Sequence, residues 1–137
     1  MKDIAELSPM QAAEQLAALS VHTKAKLEQW KAERWDQNER AYGAFRAIGA
    51  AIASKRAPPT IDEMKALFAY AEQLLKQGSG DVQNMVATCT LETIWDAAHK
   101  SGFDLRTAVP HLGPEARGYL LAWDRFNKTS TAGISRR

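Results

Sequence analysis

The feature of this chain that most constrains its fold is a series of helix start signals, each followed by apolar residues at helical spacing. Ser8 precedes Pro9, and serine can cap a helix whose first position proline fills without losing a paired N–H. Thr60 and Glu63 have the spacing of a capping box, in which each side chain accepts a hydrogen bond from the other residue's backbone N–H. A Gly-Pro-Glu run at 113–115 opens a further helix, and no segment shows strand alternation. The sequence therefore predicts an all-α fold.

These signals divide the chain into about five helices. The predicted helices run from Pro9 to a break near residues 20–23, from about Lys24 to Ser54, from Ile61 to Gln77, from Val82 to Lys100 and from Pro114 to Asn127. The second ends before two consecutive prolines, because proline cannot donate a backbone hydrogen bond. We expect Asp81 to cap the fourth. The result is a compact bundle of about five helices, with a helical-repeat-like stack of residues 61–77 on 82–100 as the alternative.

A chain of 137 residues has the usual size of one domain and can bury a core without disulfides or a structural metal. We expect residues 1–127 to form a single helical domain. Residues 128–137 should form a frayed tail, because they offer almost nothing apolar to bury. The sequence starts without a secretory signal, and its most apolar window, residues 41–53, is too short to cross a bilayer. A cytoplasmic protein without membrane contact is expected.

No motif of the chain predicts catalysis, a cofactor or a metal. The three histidines, at positions 22, 99 and 111, lack the spacing of metal ligands, and the glycines form no phosphate-binding loop. Cys89 lies among apolar residues of the fourth helix, where a thiol normally packs as a small hydrophobic group. Glu92 and Asp96 share a helix face, but no partner group suggests acid–base chemistry. The sequence therefore predicts a binding protein and not an enzyme.

A charged run around Trp35 is the first candidate contact surface. On one helix, Trp35 points about 140° away from Trp30, so a Trp30 that faces the core leaves Trp35 among charged neighbours. Aromatic residues flanked by charged groups are typical of binding hot spots. The alternative is that another helix covers Trp35, because tryptophan is well buried on average. The predicted partner-binding residues of this run are Trp35, Asp36, Glu39 and Arg40.

An acidic surface is the second candidate. Residues 60–127 contain nine acidic and six basic residues, although the whole chain carries a net charge of +2. This distribution argues against a nucleic-acid partner and suits a basic protein, since complementary charge speeds association and selects partners. The alternative is an ordinary solvated helix face. The predicted acidic contact residues are Asp81, Glu92, Asp96 and Asp104.

The aromatic residues of the last two helices are assigned to the core. Trp95 belongs to the apolar surface of the fourth helix, which is apolar on more than one side and should therefore be central. Tyr119, Leu120, Trp123 and Phe126 are predicted to form the inward stripe of the last helix.

The second half of the chain resembles a known class of proteins. The segments that carry the resemblance are Gly80-Asp81-Val82, residues 87–92, residues 112–117, Tyr119-Leu120 and Ala122-Trp123-Asp124. Over about residues 60–127 the chain resembles the small helical immunity proteins that bacteria encode beside polymorphic toxins. The resemblance implies a protein that neutralises a cognate toxin by stoichiometric contact, at the toxin's active site or at a site needed for activity. The alternative is a helical adaptor, chaperone or regulatory protein, including a nucleic-acid-associated regulator.

Overall fold

The computed structural model describes residues 3–33 and 41–135, and this part of the chain is largely helical. Its α-helices are α1 (Pro9–Ala17), α2 (Val21–Glu33), α3 (Tyr42–Ile52), α4 (Ile61–Gln77), α5 (Gly80–Met85), α6 (Glu92–Lys100) and α7 (Pro114–Asn127). A π-helical segment, Val86–Leu91, joins α5 to α6, and 3₁₀ turns lie at Ile4–Glu6, Leu105–Thr107 and Val109–His111. The predicted all-α class is confirmed. Within the described residues, no helix combines the length and apolar character needed to cross a bilayer.

The predicted Ser8 cap and the predicted Thr60–Glu63 capping box both form, and Gln11 completes a second capping box at Ser8. At the start of α1, Ser8 Oγ accepts a hydrogen bond from the Gln11 N–H at 3.2 Å, and the Gln11 side chain accepts one from the Ser8 N–H at 2.9 Å. At the start of α4, Thr60 Oγ1 accepts from the Glu63 N–H at 3.2 Å, and Glu63 Oε1 accepts from the Thr60 N–H at 2.8 Å. Each cap satisfies backbone donors that have no partner inside the helix, so these helix starts follow from local sequence alone.

The prediction of one helix over residues 24–54 is wrong. α2 and α3 are separate helices that pack side by side in opposite directions. Trp30, near the end of α2, lies against Gly43 at the start of α3, and residues 22–26 lie beside residues 50–51 near the end of α3. One continuous helix would leave the apolar faces of both halves without cover. Burial of those faces favours the antiparallel pair over an unbroken helix.

The helical segment from α5 to α6 lies at the centre of the bundle. Ser79 caps it in place of Asp81, because the Ser79 hydroxyl accepts a hydrogen bond from the Val82 N–H at 3.3 Å, while Asp81 is exposed in the first turn. The prediction that this segment is central is confirmed by the number of its buried side chains. They are Val82, Met85, Val86, Ala87, Cys89, Thr90, Leu91, Ile94 and Trp95.

The π-helical segment packs against α3 at close range. Thr90 Oγ1 donates a hydrogen bond to the Phe45 carbonyl oxygen at 2.8 Å. A Cβ atom at Gly49 would lie only 2.7 Å from the Thr90 carbonyl oxygen, so this contact requires glycine on α3. A π turn holds more residues than an α turn. It therefore rotates the side chains of α6 relative to the direction that an uninterrupted α-helix would give them.

Two carboxylates of α4 cap the N-termini of other helices. Glu63 Oε2 accepts a hydrogen bond from the Val21 N–H at 3.0 Å, at the start of α2. Glu72 accepts from the N–H groups of Glu115 and Ala116 at 2.8 and 3.1 Å, at the start of α7. The N-terminal end of a helix dipole is positive, so a carboxylate is a favourable partner there. α4 thereby fixes the positions of α2 and α7.

α7 turns a different face to the core from the one predicted. Of the predicted inward stripe, only Leu120 is buried. Tyr119 and Phe126 are 39% and 84% exposed, and Trp123 is half-buried at the surface. Asp124 lies on the core face in their place, because its carboxylate has buried hydrogen-bond partners. The buried residues of α7 are Ala116, Leu120 and Asp124.

The segment after α7 also differs from its prediction, since residues 128–135 are not frayed. Lys128 ends the helix with a left-handed φ of 54°. Beyond it, Thr131 is buried and Ile134 packs against the core. The Ser135 hydroxyl donates to the Asp124 carboxylate at 2.6 Å. Hydroxyl groups bound to a buried carboxylate hold this polar segment, in addition to the apolar contact of Ile134.

We expect Gly49→Ala to lower the free energy of unfolding by about 1–3 kcal/mol, because the new Cβ atom would press on the Thr90 carbonyl and overpack the contact. Gly118→Ala is the matched control, since no atom lies within 4 Å of a Cβ atom built at this position of α7. It should stabilise the protein by about 0.5–1 kcal/mol, because alanine favours a helix more than glycine does. Urea unfolding followed by circular dichroism measures both changes. Stabilisation by both substitutions would contradict the close contact at Gly49.

Candidate functional site

A groove of about 780 Å³ lies between α6 and the C-terminal half of α7. Trp95 of α6 and Trp123 and Phe126 of α7 are the aromatic residues that line it. Deep grooves with aromatic walls and a few polar groups are the usual form of a binding site. We call this feature the α6–α7 groove. The residues that line it are Glu92, Trp95, Asp96, His99, Lys100, Ala122, Trp123, Phe126, Asn127 and Thr129.

The aromatic side of the groove continues along the outer face of α7. Tyr119, Trp123 and Phe126 are three and four positions apart, so they lie on one face of the helix. The ring centroids of Tyr119 and Trp123 are 6.3 Å apart. Full burial of a side chain as large as phenylalanine stabilises a fold by about 1.5–3 kcal/mol, and the fold leaves Phe126 almost entirely in solvent. Exposed apolar patches often mark interaction surfaces, which makes this face a candidate.

A buried carboxylate behind the groove holds α6, α7 and the C-terminal segment together. Asp124 is 1% exposed. Its Oδ1 accepts hydrogen bonds from Trp95 Nε1 at 2.9 Å and from Thr131 Oγ1 at 2.6 Å. Its Oδ2 accepts from the Thr131 N–H at 3.1 Å and from Ser135 Oγ at 2.6 Å. These neutral donors replace the water that a carboxylate loses on burial.

The charge state of Asp124 follows from two opposing effects. Burial raises the pKa of its carboxyl group, because a charged form is disfavoured away from water. Hydrogen bonds from Ser135, Thr131 and Trp95 together outweigh burial and hold the pKa below its ordinary value. The carboxylate is therefore ionised at neutral pH and acts only as an acceptor.

Among the described residues, the basic side chain of His99 contacts this network. Its Nε2 lies 2.8 Å from Thr131 Oγ1, and its ring centroid lies 4.3 Å from that of Trp95. Thr131 has one hydroxyl proton, which it donates to the Asp124 carboxylate. The Nε2 atom of His99 must therefore carry a proton and donate to Thr131. This bond fixes the imidazole ring beside Trp95 at the edge of the groove.

Two of the predicted contact residues, Glu92 and Asp96, lie together on the α6 wall of the groove. Asp96 is 3.8 Å from Lys100, four positions along the same helix, and both side chains are exposed. Such surface pairs contribute little to stability. Within residues 3–33 and 41–135, Glu92 has no ion pair at 4.0 Å or less. The prediction that these two carboxylates share a surface agrees with the structure, and their role in binding stays a prediction.

The other predicted acidic contact residues lie elsewhere. Asp81 is exposed in the first turn of α5 and does not line the groove. Asp104 caps the 3₁₀ turn that follows α6 and pairs with Arg106, whose Nε lies 2.9 Å from Asp104 Oδ1. Hydrogen bonds from Arg106 hold the pKa of Asp104 below its ordinary value. The predicted acidic surface is therefore not one continuous patch.

The run around Trp35 is not available for comparison, because Trp35, Asp36, Glu39 and Arg40 lie outside the described residues. Their predicted role in binding stays a prediction. The sequence argument missed Trp123 and Phe126 as surface residues, since their spacing on α7 is also that of a buried stripe. The signal that would have separated the two cases is the neighbouring Asp124 together with the hydroxyl-rich segment that follows α7.

The described residues offer no group with the geometry of a nucleophile or a metal ligand set. Cys89 is buried, as predicted, and burial raises the pKa of its thiol, so it is a core residue and not a reactive thiolate. No cluster of three or more His, Cys, Asp or Glu side chains with metal-binding geometry is found between residues 3 and 135, leaving aside 34–40.

The described residues form an all-helical domain with an aromatic-lined groove between α6 and α7. Residues 14–128 match the family described as Domain of unknown function (DUF7674). The match spans most of the chain, so the protein belongs to this family, and α6 and α7 lie within the matched region. No curated protein and no solved structure matches this chain.

We expect Asp124→Asn to lower the free energy of unfolding by about 3 kcal/mol at pH 7, because the amide nitrogen cannot accept the hydrogen bonds that the carboxylate accepts. The folded-state pKa of Asp124 is lowered. Its stabilising contribution is therefore present above the pKa of an unfolded aspartate and is lost as pH falls through the lower folded value. The difference between wild type and variant should shrink from about pH 5 downwards. Urea unfolding at a series of pH values measures it, and a constant difference down to pH 2 would contradict the assignment.

Proposed function

We propose that this protein acts by binding a partner protein through the α6–α7 groove and the adjoining aromatic face of α7. The observation that carries the proposal is an exposed Phe126 beside a half-buried Trp123 at a groove, on a helix whose opposite face is anchored in the core. Exposed aromatic residues in a concave surface are the usual anchors of protein–protein interfaces. Tryptophan and phenylalanine bury a large area at low cost in side-chain entropy.

The rigidity of the surface supports the same proposal. α7 is fixed by Glu72 at its first turn and by Asp124 in its last turns. A contact surface held in place before binding loses little conformational entropy when the partner docks. An aromatic face on a frayed helix would lack this advantage. The groove is therefore suited to stoichiometric, persistent binding.

The partner that we propose is a bacterial toxin, so that the protein is an immunity protein. The support for this step is the resemblance of residues 60–127 to small helical immunity proteins, a region that contains both walls of the groove. The carboxylates on the α6 wall suit a toxin with a basic surface around its active site. An adaptor or chaperone would use the same groove, but it would not restore the growth of cells that produce a toxin.

We expect co-expression of this protein with a toxin domain encoded by a neighbouring gene to restore growth, and the double variant Trp123→Ala/Phe126→Ala to lose that protection. Loss of the two anchors should cost about 2 kcal/mol or more of binding free energy. Phe126 is exposed but Trp123 is half-buried against the core, so Phe126→Ala alone is tested beside the double variant, and circular dichroism verifies that each variant is folded. Val21→Ala is the matched control, since Val21 is 75% exposed at the start of α2, outside the groove.

Titration of the purified toxin should reach full inhibition at one equivalent of this protein. Full protection by the double variant would exclude the groove as the contact surface. Binding without restored growth would favour the adaptor function. Inhibition at far below one equivalent would indicate turnover and would contradict a binding protein.

A further inference from the structure

We propose that the α6–α7 groove recognises a cationic side chain, the guanidinium group of an arginine or the ammonium group of a lysine, on the partner protein. The proposal rests on the proposed function, because it specifies the chemistry of the group that enters the groove. Two independent features of the groove carry it. They are the aromatic surfaces of α7 and the carboxylates of α6.

The aromatic surfaces provide the first feature. A cation over the face of a tryptophan or phenylalanine ring is attracted by the negative face of the ring, and tryptophan is the strongest of these partners. Trp123 and Phe126 line the groove, where Phe126 is exposed and Trp123 is partly accessible to solvent. Trp95 contributes apolar surface, while its N–H is bound to Asp124 and takes no part in recognition. The methylene groups of lysine or arginine can pack on these rings while the charge reaches the α6 wall.

The carboxylates provide the second feature. Glu92 lines the groove and, in the described part of the chain, has no basic side chain within ion-pair distance. Asp96 lies one turn further along α6 and is paired at 3.8 Å with Lys100, whose side chain is 77% exposed. Lys100 belongs to the protein itself and competes with an incoming cation for Asp96. The carboxylate of Glu92 can therefore pair with an incoming cation directly, whereas that of Asp96 must first release Lys100.

The basic groups at the groove are also accounted for. His99 is held by Thr131 and stacks beside Trp95. Lys100 is the only lysine or arginine among the lining residues, and it lies at the mouth of the groove on a flexible side chain. An anion would meet Glu92 and Asp96 on the α6 wall, without a fixed cation to hold it. The arrangement therefore favours a cationic side chain over an anionic one.

The test uses the full-length protein and two probes that differ only in charge. N-acetyl-arginine amide carries the guanidinium cation, and N-acetyl-citrulline amide has nearly the same shape without the charge. Titration at constant ionic strength is followed through the indole N–H resonances of the tryptophans. We expect the arginine probe to shift the Trp123 resonance in a saturable manner and to leave the Trp95 resonance unchanged. The citrulline probe should cause a much smaller shift.

Two charge-neutralising variants should act in opposite directions. Glu92→Gln removes the available carboxylate and should weaken binding of the arginine probe about threefold, whereas Lys100→Gln removes the competing cation and should strengthen it by a similar factor. Asp62→Asn, in the exposed first turn of α4, is the control for a general loss of negative charge and should change nothing. The circular dichroism spectrum of each variant confirms that the fold is retained.

Equal shifts with the arginine and citrulline probes, or the same effect from Glu92→Gln and Lys100→Gln, would overturn the proposal. Either result would leave a groove that recognises apolar surface without regard to charge. These outcomes are separate from a failure of the proposed function, because the probe titration needs no toxin. If the arginine probe binds as expected but the Trp123→Ala/Phe126→Ala variant still protects cells, the groove binds cations and the toxin docks elsewhere.

Discussion

The hydrogen bonds of one buried carboxylate, Asp124, determine how α7 sits on the rest of the protein. An ionised carboxylate away from water is stable only where donors surround it, so α7 can adopt only the rotation that brings Asp124 to Trp95, Thr131 and Ser135. That rotation places Leu120 in the core. It also places Trp123 and Phe126 on the outer face of α7. The aromatic side of the α6–α7 groove is therefore a consequence of the buried Asp124 carboxylate behind it.

Carboxylates that cap other elements recur through the bundle. Glu63 connects α4 to the start of α2, and Glu72 connects α4 to the start of α7. Each places a negative charge at the positive end of a helix dipole and satisfies N–H groups that the helix leaves unpaired. Glu72 at the first turn and Asp124 in the last turns hold the two ends of α7. The α6–α7 groove is consequently formed before any partner arrives, which favours tight binding by a small surface.

The sequence separation between interacting residues explains which predictions succeeded. The Ser8 cap and the Thr60 capping box depend on residues three positions away, so both could be predicted from the local sequence. The antiparallel packing of α2 on α3 depends on contacts between distant turns, such as that of Trp30 with Gly43, which helical periodicity does not report. The rotation of α7 depends on Asp124 partners up to 29 positions away. That Glu92 and Asp96 share a face could be predicted, because they lie about one helical turn apart. The aromatic wall opposite them could not be predicted, because it depends on the rotation of α7.

The outward rotation of α7 is tested most directly by hydroxyl-radical footprinting of the free protein, read residue by residue by mass spectrometry. Oxidation depends on the intrinsic reactivity of each side chain and on its exposure. Trp123 and Trp95 have the same intrinsic reactivity, so a difference between their oxidation rates reports their exposure. The account predicts rapid oxidation of Phe126 and Trp123 and slow oxidation of Trp95. Protection of Trp123 and Phe126 to the level of Trp95 would show that these residues are core, as the sequence pattern alone suggests. It would remove the surface on which both proposals depend.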